Sequence, residues 1–469
     1  MVKLNRLLGG VSMSKKYVDE IRNLVKQGLS KETFNAELLK FHPYELSESL
    51  LLMNDDERLL IYKRLSAAEI AESFGYLEED EAINLFNGMK PKYIANILQE
   101  LEMDDAVDII EHMPEKEQAA YLTLMDENHR NKIKNLLKYT EDTAGSIMTT
   151  EYIAVSVKDS VEKAMKKMIS QAVDAGTIYT IYVIDSSGVL VGTMSLRELI
   201  LARKGELVSE IMNKRLISVK AGADQEDVAD LIQDYDFPSI PVVDHLNRIL
   251  GVVTVDDIID VIEEEALEDY SKFAGISDAE IDHETETIWM SSKKRIPWLL
   301  VLSVLGFFTS MLLANFEDTL SKVTSLALFI PMILGMAGNT GTQSLAVTVR
   351  GLNEGEFNTG GKIRKHLVRE VGTGLLNGIL IGAILFVVTY LFLLLTNTSN
   401  AITITQVVSL SIVSSLTVAT FSGALIPIII NSFKVDPAIA SGPFVTMIID
   451  IMALTVYFGL AQILFKALL

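Results

Sequence analysis

Residues 371–433 read VGTGLLNGILIGAILFVVTYLFLLLTNTSNAITITQVVSLSIVSSLTVATFSGALIPIIINSF, 63 positions without an Asp, Glu, Lys or Arg, bounded by Glu370 and Lys434. A bilayer crossing takes roughly 20 apolar helical residues, so the stretch is too long for one span and long enough for two. The polar run Thr396-Asn397-Thr398-Ser399-Asn400 divides it. Working outward, 21 uncharged residues fill 296–316, 27 lie between Lys322 and Arg350, and a further apolar stretch covers about 437–464. The expectation is five α transmembrane helices within 296–469, with the two ends of this region on opposite sides of the membrane.

The charges are distributed to match. Of 469 residues, 41 are Lys or Arg and 62 Asp or Glu, a net of −21. Residues 296–469 hold eight of the bases and seven of the acids, so 1–295 carry 33 and 55, a net of −22. The apolar part excludes a soluble protein. The acidic part lacks the clustered Lys and Arg that phosphate binding needs, which argues against nucleic acid and for cations. The chain has no cysteine, hence no disulfide or thiolate site, and its six histidines are scattered without an HExxH. Near the start, Lys3 and Arg6 flank too short an apolar core for a signal peptide. Lys293, Lys294 and Arg295 before the first span, Lys362, Arg364, Lys365 and Arg369 between the second and third, and Lys434 between the fourth and fifth place the acidic part in the cytosol. The protein is therefore expected in the cell membrane, multi-pass, with its C-terminus outside.

Asp450 is the charged residue that lies well inside an uncharged span. A carboxylate at a helix centre costs about 2.5–3.5 kcal/mol on insertion scales, and intramembrane ionisable residues are functional by default. With no base inside the charge-free stretches to offset it, the permeant species is the natural countercharge. The segment from Pro331 to Ser344, with its Gly338-Asn339-Thr340-Gly341-Thr342-Gln343 core, makes a poor lipid-facing helix and a good pore wall. Pro443, seven residues before Asp450, is expected to free the Ile439 carbonyl. Gly374, Gly378 and Gly382, four apart, are expected to let two helices approach closely, and the Ser and Thr residues of 409–422 to bond their own helix backbone. Mg²⁺ keeps several waters and is held by one or two carboxylates, which suits one Asp450 from each chain of a two-fold dimer. Mn²⁺, Co²⁺ and Ca²⁺ are not separated from Mg²⁺ by these arguments.

In the acidic part a repeat stands out. Ile147-Met148-Thr149 matches Ile211-Met212-Asn213, Val183-Ile184-Asp185 matches Val242-Val243-Asp244, and Gly192 through Ile200 matches Gly251 through Ile259. Each copy reads strand, helix, strand, turn, strand, helix, and the pair resembles tandem CBS domains. That resemblance implies binding of an adenine nucleotide such as ATP or of an ion, or simple dimerisation, with Phe237, Arg197 and the Asp185 and Asp244 turns lining the nucleotide cleft. Residues 15–140 show Leu and Ile at helical spacing interrupted every 15–20 residues, a small right-handed stack of helical hairpins. The acidic pairs at the helix starts, Asp104-Asp105 among them, have an ordinary reading as caps and dipole partners. From Asp256 to Asp269 the chain carries a run of carboxylates without one base. Asp257, Asp260, Glu264 and Glu268 fall on one helical face, where like charges repel, and an unmixed stripe leading into a pore reads as a divalent-ion sensor.

Together these parts resemble the MgtE family of magnesium channels over essentially the whole chain. The expected organisation is a helical domain at 1–140, a tandem α/β CBS pair at 141–262, an acidic connecting (plug) helix at 263–295 and a five-helix membrane domain at 296–469. The resemblance implies a homodimer in the lipid bilayer that passes Mg²⁺ and is not an enzyme. It implies Asp450 as pore carboxylate, with Gly335, Asn339 and Thr342-Gln343 lining the pore. It further implies regulatory Mg²⁺ on Asp104, Asp108, Asp224, Glu226, Asp236, Asp257, Asp260, Glu265, Glu268 and Asp269, bound when the channel is closed. A carrier of another divalent ion and a membrane Mg²⁺ sensor without transport are the rival readings.

Overall fold

The computed structural model describes residues 11–173, 175–277, 287–357, 359–440 and 442–465. It forms two compact units, 1–262 and 263–469.

The first unit opens with short helices: α1 (Val11–Lys26), α2 (Lys31–Leu38), α3 (Pro43–Leu52), α4 (Asp55–Tyr62), α5 (Ala67–Phe74), α6 (Glu79–Leu85), α7 (Pro91–Glu100), α8 (Met103–Glu111), α9 (Glu115–Leu124) and α10 (Glu127–Leu136). Their ends are written locally. Asn54 with Glu57 and Ser66 with Glu69 make reciprocal capping boxes, and Pro43 and Pro91 occupy first turns where a missing N–H is harmless. Most of these helices pack on their second neighbour, α1 on α3, α5 on α7, α7 on α9, around a core that includes Phe34, Phe74, Ile94 and Ile110.

Two matching sheets follow. β1 (Ile153–Ser156) runs parallel to β2 (Thr180–Ile184), which pairs antiparallel with β3 (Leu190–Ser195); α11 (Val161–Gln171) makes the crossover, with α12 (Leu196–Leu201) and α13 (Val208–Ile211) after β3. The second copy repeats this as β4 (Val219–Lys220), α14 (Gln225–Tyr235), β5 (Ser239–Val243) and β6 (Ile249–Thr254). The copies interlock: Thr149 bridges to Val252 and Asn213 to Thr193, so the lead-in of each pairs with the third strand of the other. Glycine is needed there, because a Cβ on Gly251 would stand 2.6 Å from the Thr149 carbonyl oxygen, and one on Gly192 3.1 Å from that of Asn213.

A long helix, α15 (Val255–Ala274), begins in the first unit and ends in the second. The second unit continues with α16 (Ile288–Ala314), α17 (Glu317–Lys322), a 3₁₀ turn (Thr324–Phe329), α18 (Ile330–Asn353), α19 (Gly360–Leu395), α20 (Ala401–Ser432), a 3₁₀ turn (Pro437–Ile439) and α21 (Gly442–Phe465). Five stretches, 288–314, 324–353, 360–395, 401–432 and 442–465, are long and apolar enough to cross a bilayer. α20 is the hub, packed against α18, α19 and α21. Gly374, Gly378 and Gly382 press α19 onto the α20 backbone, where a Cβ at 378 would lie 2.8 Å from Val413 Cα. Gly341 and Gly423 meet at the α18–α20 crossing in the same manner.

Four local expectations change. The connecting helix starts at Val255 within the second repeat and ends at Ala274; residues 278–286 lie outside those described. α19 starts eleven residues before the charge-free stretch and takes His366 and Glu370 into the bundle, so charge-free length marks the apolar core of a helix, not its ends. Pro443 opens α21, and Ile439 sits in the preceding 3₁₀ turn; no helical bond is broken there, because a first-turn proline lacks only a donor that has no intrahelical partner. Thr405, Thr417 and Thr420 do bond backbone carbonyls of α20, but the buried hydroxyls of Ser409, Ser411 and Ser415 have no partner and serve as small residues.

Candidate functional site

In the membrane unit, α18 and α21 face each other across small residues. Thr342 Oγ1 and Thr446 Oγ1 are 3.3 Å apart, and each hydroxyl also donates to a carbonyl four residues back in its own helix, Gly338 and Gly442. A Cβ on Gly338 would stand 2.8 Å from Thr446 Cγ2 and 3.9 Å from Asp450 Oδ1. Glycine at 338 therefore lets α18 close on the helix that carries the carboxylate. Asp450 Oδ1 is buried without a hydrogen-bond partner among the described residues. Gly335, Asn339 and Gln343 stand on an uncovered face of α18, one turn apart, with Thr342 partly covered beside them. The helix pair α18 and α21 thus carries carboxylate, hydroxyl and amide oxygens, donor types that suit a hard cation.

The end of α15 lies against this region. A cavity of about 570 Å³ is lined by Tyr270, Phe273, Thr342, Gly442, Thr446 and Met447, among others. Lys272 Nζ bridges Glu268 Oε1 and Asp436 Oδ2, 2.7 Å from each. Burial opposes its charge, but those two carboxylates outweigh burial and raise its pKa. Asn353 donates to Asp269 Oδ2 at 2.7 Å; burial, then the Asp436 charge, push the Asp269 carboxyl above the ordinary range.

The first unit gathers a second acidic group. Asp104, near the start of α8, is 7 % exposed and its Oδ1 has no hydrogen-bond partner. Burial and the charges of Asp257, Asp105 and Glu102 hold its carboxyl well above the ordinary range. Burial and Glu102, Asp108 and Asp257 push Asp105 up to about 8. Asp257 rises to about 6, chiefly by burial, although it accepts from Thr254 N at 3.2 Å and Thr254 Oγ1 at 2.5 Å. Thr254 and Asp257 repeat the Ser195–Glu198 capping box of the first copy, so Asp257 also secures the start of its helix. Glu102 is raised by burial and by Asp256. Like charges this crowded are stable only when protonated or when a cation lies among them.

The remaining expected residues fall elsewhere. Asp224 caps the start of α14, Glu226 lies in its first turn, and Asp236 ends it at φ 52°. At 1.5 Å per residue the two ends are roughly 18 Å apart, so one chain does not join them. Asp260 and Glu265 lie along α15. Phe237 stacks on Tyr235 at 5.3 Å beside a cavity of about 490 Å³ that Asp236 also lines; Arg197, on α12, does not line it. Glu102 has no role in the sequence reading and Asp105 reads there as an ordinary helix-start acid, although Glu102, Asp105 and Asp108 fall three apart. The sequence reading also passed over the Ser344/Thr348 and His366/Glu370 pairs, each four apart on facing helices.

Membrane-length helices with the Asp450 carboxylate beside glycines and threonine hydroxyls, and a first unit with crowded acids, define a cation transporter with a regulatory part. Residues 330–460 match the family model described as divalent cation transporter, residues 41–142 that of the MgtE intracellular N domain, and 144–205 and 208–264 that of the CBS domain. The chain belongs to the MgtE family, whose members are transporters and not enzymes. It is 42 % identical over 340 residues to the magnesium transporter MgtE of Bacillus subtilis, covering 72 % of this chain and 73 % of that one. With the Enterococcus faecalis protein of the same name it shares 41 % over 338 residues, 71 % and 72 % of the two chains. A crystal structure of the soluble part of a magnesium transporter superposes with a TM-score of 0.52 at 38 % identity, covering 54 % of this chain and 99 % of that one.

Proposed function

We propose that this protein carries Mg²⁺ into the cell through a pore formed by two copies, with α18 and α21 as its walls and Asp450 as its ion-binding carboxylate. The observation that carries the reading is the Asp450 Oδ1 atom, buried without a partner beside Gly338 and Thr446. The uncovered Gly335–Asn339–Gln343 face supports a second copy opposite, which would double both carboxylate and amide oxygens around the ion. The flanking bases support a cytosolic N-terminal part and an outer C-terminus. Flux of Mg²⁺, Mn²⁺, Co²⁺ and Ca²⁺ into liposomes holding the full chain tests this directly. Mg²⁺ is expected to pass best and D450N to be silent; selective flux through D450N overturns the assignment.

The same reading makes the acidic clusters a feedback sensor. Mg²⁺ held by Asp104, Asp108 and Asp257 in the first unit, and by Glu268 and Asp269 with Asp436 in the second, would offset repulsion that otherwise loosens each cluster. α15 has one end in each cluster, so ions bound at both favour one closed arrangement, by as much as their differential affinity for it. Asp224, Glu226, Asp236, Asp260 and Glu265 would join these sites from the partner chain or in the compact state. Millimolar internal Mg²⁺ is expected to protect the segment after Glu263 from proteolysis and to inhibit uptake. If the quadruple variant D257N/D260N/E265Q/E268Q closes at the wild-type Mg²⁺ concentration, the sensor lies elsewhere. An adenine nucleotide at the CBS pair would use the Tyr235–Phe237 stack as an aromatic wall; F237A is then expected to lose ATP binding in calorimetry.

A further inference from the structure

One face of α19 changes character along its length. Lys362, Lys365 and Arg369, then Leu376, Leu380 and Val387, follow one another at three-, four- or seven-residue steps and so stand in one line along the helix. All six are exposed, the three apolar ones at 57 to 59 %. The other side of the helix carries Gly374, Gly378 and Gly382, pressed onto α20. The line therefore points away from the bundle, and in a membrane-length helix its apolar half meets acyl chains. Its basic half is out of balance. Among the described residues Lys362 and Lys365 have no ion-pair partner, and Arg369 has Glu370 Oε1 at 3.8 Å from Nε. Glu370 itself turns inward, where Ser344 Oγ lies 2.8 Å from its Oε2. Lys362 with Lys365, and Lys365 with Arg369, are like charges at spacings that destabilise a helix, and they lie towards the positive end of its dipole. An anion from outside the protein relieves both.

We propose that this line is a binding surface for an anionic phospholipid, whose headgroup lies against Lys362, Lys365 and Arg369 while its acyl chains follow Leu376, Leu380 and Val387. The depths agree. Counted from Val371, where the charge-free stretch begins, Arg369, Lys365 and Lys362 lie roughly 3, 9 and 13.5 Å further along the axis at 1.5 Å per residue. The headgroup layer is about 5–8 Å deep on each side of the hydrocarbon. Arg369 falls within it, and the two lysines reach it with their flexible stems. Bases that only set the orientation of a span can stand on any side of the helix end or in the loop before it. Here they continue the lipid-facing line. A second copy is the poorer occupant, because a two-fold axis along the membrane normal would bring the same bases face to face at one depth.

Native mass spectrometry of the full chain in detergent, titrated with phosphatidylglycerol or with phosphatidylcholine of the same acyl chains, tests this. Each base near an anionic surface is worth about a factor of five, so wild type is expected to bind phosphatidylglycerol at least about tenfold more tightly. K362Q/K365Q/R369Q should bring the two lipids within about twofold of each other, and K365Q alone should cost about two- to fivefold. K293Q/K294Q/R295Q, which removes three bases from the start of α16, should keep the preference, and so should D450N. Inorganic phosphate in excess should not displace the lipid, because part of its hold is apolar. Equal binding of the two lipids by wild type overturns the surface, whether the line is bare or covered by a second copy. So does a preference that survives in a K362Q/K365Q/R369Q protein eluting as wild type does on gel filtration. If that variant does not fold, an unchanged preference in K365Q decides the same way. An equal loss in K293Q/K294Q/R295Q shows a diffuse field, and displacement by phosphate shows a free-ion site; either result overturns the lipid surface on α19.

Discussion

Asp104 and Asp450 each hold a buried carboxylate oxygen, Oδ1, without a hydrogen-bond partner, one in each unit. Their surroundings differ in kind. Asp104 sits among Asp105, Glu102 and Asp257, whose charges reinforce one another. Asp450 sits among a glycine and threonine hydroxyls that already have backbone partners. Crowded like charges make a site that fills as the cation concentration rises and changes the shape of its surroundings when it does. A lone carboxylate among neutral oxygens binds enough to strip part of a hydration shell and still lets the ion leave, which is what passage requires. On the proposed function, one chemistry, the unpaired carboxylate, would be turned to sensing or to conduction by its neighbours.

The largest effect that would break this contrast is at Asp450. On the proposed function, D450A or D450N should lower Mg²⁺ influx by about 100-fold or more, with a gel-filtration profile like that of the wild type, since the proposed pore carboxylate is gone and the packing is not. Next is the acidic cluster of the first unit, the proposed sensor. D104N/D105N/D257N should raise the Mg²⁺ concentration for half-inhibition of uptake by about tenfold, while initial flux at low internal Mg²⁺ is unchanged.

Acidity offers a third handle. The Asp105 and Asp257 carboxyls are raised to about 8 and about 6, so the folded unit binds more protons than the unfolded chain above pH ~4. Stability of the first unit without Mg²⁺ should fall as pH rises from about 5 towards 8, and Mg²⁺ should restore more at pH 8 than at pH 5. Thermal melts of the full chain, followed at the first transition, measure it; D105N should flatten the slope. The smallest expected effect is at Lys272, which supplies a fixed positive charge where Glu268 and Asp436 meet. K272M should move the half-inhibiting Mg²⁺ concentration by only about two- to fivefold, the scale of a partly exposed ion pair. A larger shift would make the lysine, and not the divalent ion, the main countercharge at the end of α15.

Much of this was legible in the residues. Charge-free stretches of 21 to 63 residues dictate membrane helices wherever they occur, because an apolar run of that length has no other stable solvent. The repeat at Ile147 and Ile211 dictated twin sheets, since equal patterns fold alike. Asp450 could be singled out because an isolated charge in such a stretch needs a reason. What the chain could not announce is which distant residues meet. Asp105 read as an ordinary helix-start acid until α8 was placed beside the start of α15. Glu370 and His366 read as flanking polar residues until α19 proved longer than its apolar core and turned them towards Ser344 and Thr348. Hydropathy and spacing are properties of one element and survive in its sequence. A buried polar contact depends on the rotation and depth of two elements, and only packing decides that.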